Sequence, residues 1–434
     1  MSPLSRFRLV VLINAVAAAI ATLGANSSVM ADPAAAPIPP ESVASQPAAP
    51  LSKRVPSAAP VSPSSRLVRL DTLARGERGF VAQLQGGAQA ELTLDPRLQD
   101  AADDVFRAFQ VPYGAAVVIS VPDGRVLALA GRSAISPELG PEELALRAWA
   151  PAASIFKVVS ATALVAEGGL RGDSRTCYHA GVSSVLPDNL IDMPRLDRTC
   201  ASLAYGVGKS QNAILAKLAT NHLTPAQLEK VARAFAFGQA IPFDVAVEPS
   251  HLDVPADDKL EFARTAAGFW HSTLSPLHGA LVAAAVANQG RMPAPRLIER
   301  AVGSEGQSIA IPLLGPRTVM TPAVAREVGQ MMELTTRMGT AKATFTDRKG
   351  RPVLPVSVAG KTGTLSAETD KGYLGYSWFI GYAPADQPQI AFAVVLGNHA
   401  SWRIKATYLA RRLVSEYLAG ARERQAPRLL TAAR

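Results

Sequence analysis

The segment Ala150 to Gly168, APAASIFKVVSATALVAEG, constrains the fold of this chain more than any other stretch. From Ile155 to Val165 it is nearly continuous apolar, and Gly168-Gly169 close it, which predicts a helix buried on all sides. Such a helix is a poor place for a charge, yet Lys157 stands in it, three residues after Ser154. Residues at i and i+3 share a helix face, so the amine of Lys157 can reach the hydroxyl of Ser154. Ser154 falls at the helix start, where free backbone N–H groups and the positive dipole end favour a developing oxyanion. Burial disfavours an ammonium group, which makes Lys157 a candidate base toward a nucleophilic Ser154. An S-x-x-K spacing alone arises by chance in most chains, so the other parts of a site must come from elsewhere in the sequence.

The 434 residues, 48% hydrophobic and 18% charged, have an ordinary globular composition. The formal charge of +9 is not evenly spread. Residues 403 to 434 carry eight Lys/Arg against Glu416 and Glu423, and the rest is close to neutral. A basic tail of this kind fits an anionic membrane surface or cell-wall polymer as well as a phosphate backbone. Aromatic residues are few and do not interleave with basic ones, so nothing here points to nucleic acid.

Arg6 and Arg8 precede an apolar run from Leu9 to Leu23, and Val29-Met30-Ala31 has the small-residue character of a cleavage site. Residues 1–31 therefore read as a signal peptide or an uncleaved N-terminal anchor, and either places the remainder outside the cytoplasm. Residues 32–66 are rich in Pro, Ala and Ser and form a tether without a core. The folded domain is expected over residues 67–420, followed by a basic tail at 421–434.

Glu91 to Gln110 reads as a short strand and then a helix opened by Asp95-Pro96. Tyr113 to Ala130 is a hairpin around Pro122-Asp123-Gly124. A second hairpin joins Trp378–Tyr382 to Ile390–Leu396, and a helix from Ile404 to Leu418 follows. The middle is mainly helical, around Ala213 to Ala219, Pro276 to Ala287 and Pro322 to Met338. Strands at both ends around a helical middle predict an α+β fold. An antiparallel sheet from N- and C-terminal segments would be flanked by helices, beside a mainly helical subdomain.

Cys177 and Cys200 bracket a loop-like insert, and an even count in an exported chain suggests a disulfide, with two reduced thiols as the alternative. The six histidines show no metal-ligand spacing, so no metal is expected, and His278 reads as a packing or capping residue. Gly208-Lys209-Ser210 and Gly360-Lys361-Thr362 both end like a phosphate loop. The required earlier glycine is replaced by Leu203 and Pro355, and neither is one.

Those two places carry a different signal. Ser210-Gln211-Asn212 opens a helix, and Lys361-Thr362-Gly363-Thr364 follows a strand-like VSVAG. In order along the chain stand S-x-x-K, S-x-N and K-T-G. Acyl transfer needs a nucleophile and base (Ser154, Lys157), a route for protonating the leaving amine (Ser210) and a cationic site for a carboxylate (Lys361). It needs no cofactor. Gly363 would let a substrate backbone come close.

With these motifs the chain resembles the transpeptidase domain of penicillin-binding proteins, from about Glu91 to Leu418. LTLDPRLQ with GAAVVISVPDGRVLALA, SQNAILAKLA, and LSPLHGALVAAAVANQGRMPAP all carry the likeness. The resemblance implies a D,D-transpeptidase or D,D-carboxypeptidase in which Ser154 attacks the penultimate D-alanine carbonyl of a peptidoglycan stem peptide. It implies that Asn212 binds the substrate amide and that Thr362 and Thr364 bind the terminal carboxylate. The backbone N–H groups of Ser154 and Thr364 would form the oxyanion hole, and β-lactams would acylate the same serine. The space before Glu91 holds no glycosyltransferase domain, so that activity is not carried over.

A serine β-lactamase is the rival enzyme. It needs a second base, and Glu248, 36 residues after Asn212, echoes one only faintly and reads as a surface turn residue. A non-enzymatic β-lactam sensor or cell-wall scaffold is the rival of another class, against which the intact Ser154/Lys157 pair argues.

Overall fold

The computed structural model describes residues 67–369, 372–400 and 404–425. The expected leader and tether, and the tail beyond Gln425, lie outside the described residues. A five-stranded antiparallel sheet stands at the centre, in the order Ala359–Thr369, Gly372–Ala383, Ile390–Asn398, Tyr113–Ser120, Val126–Arg132. Both expected hairpins are present. They join through Tyr113–Ser120 and Ile390–Asn398, with Val117 opposite Ala393.

These strands are continuous apolar runs rather than alternating ones because both faces of the sheet are covered. Ala115, Val117, Ile119, Ala393 and Val395 belong to one core with Leu277, Ala280 and Ala284 of helix Pro276–Ala287. Their alternate neighbours Ala116, Val118, Phe392, Val394 and Leu396 belong to the other core. There they meet Leu98 and Phe106 of helix Pro96–Ala108, and Leu409 and Leu413 of helix Ala406–Gln425.

The middle of the chain supplies helices Lys157–Ala166, Leu203–Gly208, Asn212–His222, Pro225–Ala234, Lys259–Ala267 and Pro322–Arg337. Helices Pro276–Ala287 and Pro322–Arg337 start as their sequences predict. A proline opens the first turn, and Ser275 Oγ and Thr321 Oγ1 accept from the N–H groups of His278 and Val324.

Two features differ from the sequence reading, and the suggested disulfide is present. A second sheet runs Val68–Arg75, Phe80–Leu84, Gln89–Leu92, Ile298–Val302, Ser308–Ile309, where one short strand was expected. Its members are short, and Gln89–Leu92 finds its partner in Ile298–Val302, far along the chain. The last helix continues to Gln425, beyond Leu418. Arg422 and Arg424 suit the negative end of its dipole, and Arg97 grips Glu423. The cysteines form a disulfide between directly opposed positions of the ribbon Arg175–Tyr178/Thr199–Ser202.

Candidate active site

The expected helix over 155–165 forms as a 3₁₀ turn, Ala153–Phe156, running into the α-helix Lys157–Ala166. The tighter turn eclipses residues at i and i+3, which aligns Ser154 with Lys157 more directly than an α-helix would. Between Ala150 and Leu164, Ser154 is the one residue that is not buried. The turn is entered through Ala153, which has φ +50° and is buried, a conformation that costs about 1–3 kcal/mol and needs surrounding structure to hold it.

Lys157 Nζ lies 2.6 Å from Ser154 Oγ, 2.6 Å from Asn212 Oδ1 and 2.7 Å from the Ala267 carbonyl. The side chain is 0% exposed. Its burial, and secondarily the charge of Lys361, holds it well below the usual lysine pKa. The two carbonyl-type partners can only accept. When Lys157 loses a proton, its two remaining N–H bonds go to Asn212 Oδ1 and Ala267 O. The lone pair is then left facing Ser154, whose hydroxyl becomes the donor. The arrangement is that of a base aimed at a nucleophile.

Asn212 opens its helix, and its Nδ2 donates to the Val182 carbonyl at 2.7 Å. Ser210, two residues earlier, turns the chain between helices with φ +57°. Its Oγ accepts from Lys361 Nζ at 2.8 Å, and Lys361 also reaches the Thr362 carbonyl at 3.0 Å. Lys361 is fully buried, and burial brings its pKa down to about 7.

Lys361 to Thr364 lie on the strand at one edge of the central sheet. Thr364 is exposed there, and Thr362 Oγ1 is 2.5 Å from Thr340 Oγ1. The Cβ position of Gly363 points inward, where Trp378 Cβ and Ile155 Cγ1 would be 3.1 and 3.2 Å away. Glycine thus lets the strand lie against the Ser154 turn, a packing reason beside the substrate approach expected from sequence.

The structure therefore brings together two hydrogen-bonded groups, Ser154–Lys157–Asn212 and Ser210–Lys361, with Thr362, Gly363 and Thr364 on the adjoining strand. The carbonyls of Ala267 and Val182 join the first group and the hydroxyl of Thr340 meets Thr362, none of them among the residues that the sequence motifs single out. Ala267 had a faint signal, since Gly268 ends its helix in the left-handed conformation and leaves the last carbonyls free.

Glu248 is half-buried rather than a plain surface residue. Its Oε2 accepts from the Ala148 N–H at 3.1 Å, bracing the segment ahead of the nucleophile. His278 is a core residue, with Nε2 on the Phe235 carbonyl and a pKa lowered by burial to about 4. Among the described residues no cluster of His, Cys, Asp and Glu could hold a metal ion.

The family model of the penicillin binding protein transpeptidase domain matches residues 114–414, and the chain belongs to that family. Among its relatives is the peptidoglycan D,D-transpeptidase PbpA of Mycobacterium tuberculosis, 28% identical over 367 residues. The match spans 76% of this chain and 71% of the relative. The PbpA of Mycolicibacterium smegmatis is 27% identical, with the same coverage. A crystal structure of the M. tuberculosis protein aligns with TM-score 0.64 at 23% identity, over 76% of this chain and 81% of that one. The transpeptidase domain of an Eggerthella lenta peptidoglycan glycosyltransferase gives 0.63 at 21%, over 82% and 90%. These structural likenesses concern the fold.

Proposed function

We propose that the protein is a peptidoglycan D,D-transpeptidase working through an acyl-enzyme on Ser154. The observation that carries this reading is the triple bonding of buried Lys157, which spends two N–H donors on carbonyl groups and leaves the third direction to Ser154. Neutral Lys157 takes the Ser154 proton as Oγ attacks the penultimate D-alanine carbonyl of a stem peptide. The carbonyl electron pair moves to an oxyanion held by the N–H groups of Ser154 and Thr364. As that pair returns, the C–N bond breaks, and the leaving D-alanine nitrogen takes a proton delivered through Ser210. Charged Lys361, with Thr362 and Thr364, binds the terminal carboxylate, while Asn212 also meets the substrate amide. A second stem's amine, or water in a D,D-carboxypeptidase, then discharges the acyl group. The family assignment and the names of the PbpA relatives support the reading.

A β-lactam acylates Ser154 by the same attack. Its ring-opened adduct is long-lived because hydrolysis needs water held against the acyl carbonyl by a further base. Glu248 Oε2 is committed to the Ala148 N–H, which disfavours the β-lactamase reading. The site faces the cell envelope, reached through the N-terminal leader or anchor. Among the described residues no helix is long and apolar enough to cross a membrane.

Intact-protein mass spectrometry after penicillin addition tests the reading. A single adduct on Ser154 should persist for minutes, be absent from Ser154→Ala and keep its lifetime in Glu248→Gln. Labelling of Ser154→Ala would end the assignment. Rapid penicillin turnover lost in Glu248→Gln would favour the lactamase.

A further inference from the structure

The segment closed by the Cys177–Cys200 disulfide runs beside the start of helix Asn212–His222, with three consecutive carbonyls turned toward it. The Ala180 carbonyl accepts from Gln211 Nε2 at 3.4 Å, that of Gly181 from the Ala213 N–H at 3.1 Å, and that of Val182 from Asn212 Nδ2 at 2.7 Å. Presenting them in series takes left-handed backbone at Ala180 (φ +43°) and Gly181 (φ +67°). A side chain at Gly181 would collide with Ala213.

A chain held in this conformation needs an anchor, and the anchor is Asp197. Its carboxylate is 5% exposed and accepts from three sides. His179 Nδ1 lies at 2.5 Å, Lys217 Nζ at 2.8 Å and the Met193 N–H at 3.0 Å. Lys217 belongs to the helix that Asn212 opens, and its Nζ also reaches the Cys177 carbonyl at 2.9 Å. Asn189 Nδ2 adds a bond to the His179 carbonyl at 3.1 Å. The disulfide closes the segment, and Lys217 ties it to the helix near both of its ends, at the Cys177 carbonyl and at Asp197.

The consequence falls on Asn212. An amide has one accepting end and one donating end. With Val182 O taking the donating end, the accepting end must face Lys157 Nζ, where it consumes one N–H and helps aim the lone pair at Ser154. Turned the other way, the amide would present N–H to N–H, and Lys157 would lose a partner that directs it.

We propose that the disulfide-closed segment Cys177–Cys200 is a positioning element for acylation, with Asp197 as its positioning residue, acting through Val182 on the orientation of the Asn212 amide. The inference rests on the roles given above to Ser154, Lys157 and Asn212. It makes the rate of acyl-enzyme formation sensitive to the state of a disulfide that touches neither the nucleophile nor the base.

The test is a double-mutant cycle on the full-length chain, with the acylation rate by fluorescent penicillin and the melting temperature read in parallel. Asp197→Ala should slow acylation about tenfold or more in the wild-type background and less than twofold in Asn212→Ala, while lowering the melting temperature equally in both. A general structural role would slow both backgrounds by the same factor, and that result overturns the proposal. Unchanged acylation in Asp197→Ala overturns it as well. Because Asp197→Ala leaves buried Lys217 with Asp192 as its one remaining carboxylate partner, a second arm uses Cys177→Ser/Cys200→Ser, which should show the same background dependence. If Asn212→Ala by itself acylates at the wild-type rate, the role assigned to Asn212 fails, an outcome distinct from equal slowing in both backgrounds.

Discussion

Two fully buried lysines with different tasks meet at this site, and their protonation gives it a pH signature. Lys157 must be neutral to accept the Ser154 proton, so the rate rises with pH as Lys157 titrates through its lowered pKa. Lys361 must be charged to attract a carboxylate, so the rate falls as pH passes its value of about 7. Burial, and secondarily the charge of Lys361, depresses Lys157, and the reaction needs the state in which Lys157 is neutral and Lys361 charged. The second-order constant for penicillin acylation should accordingly be bell-shaped, its alkaline limb centred near about 7. Lys361→Arg, which stays charged, should flatten that limb. A constant that keeps rising through the alkaline range in the wild type would remove Lys361 from the carboxylate site.

The elements around the nucleophile meet with little room between them. Helix Lys259–Ala267 ends at Gly268 with φ +84°, and a Cβ there would run into the Ala153 carbonyl, next to the nucleophile. The helix end that offers Ala267 O to Lys157 is thus pressed against the strained residue before Ser154. Gly268→Ala should cost more than about 1 kcal/mol, since alanine resists this backbone region, with the loss read by thermal unfolding. It should also slow acylation by about ten- to a hundredfold, because shifts of this kind near reacting groups act strongly on rate. Acylation at the wild-type rate would mean that the contact does not set the position of Ser154. The 3₁₀ turn belongs to the same scale. Sequence periodicity pointed to a buried helix and to Ser154 at its start, but the tighter winding at Ala153–Phe156 comes from this packing, which no propensity carries.

Across the molecule, the two ends of the domain make one sheet, and the last helix covers a face of it. Leu409, Leu413 and Val414 are fully buried against that face, and losing them would forfeit about 5–9 kcal/mol, comparable to the stability of a whole domain. A chain ending at Asn398 should therefore yield no cooperatively melting, penicillin-labelled protein, as checked by scanning calorimetry and gel labelling. A soluble, labelled product would show the helix to be dispensable. The sequence by itself determined the three motifs, the two hairpins of the central sheet, the helical middle and the cysteine pair. Each rests on side-chain types at local spacings, which chemistry and periodicity can read directly. Tertiary structure decided the pairing of Gln89–Leu92 with Ile298–Val302, the inward packing of Gly363 and the bracing role of Glu248. It also decided which carbonyls surround the site. Every residue carries a carbonyl, so no side-chain pattern singles out that of Val182, and Gly268 marks Ala267 only as one of several free carbonyls at a helix end. Only the fold places one on Lys157 and the other on Asn212.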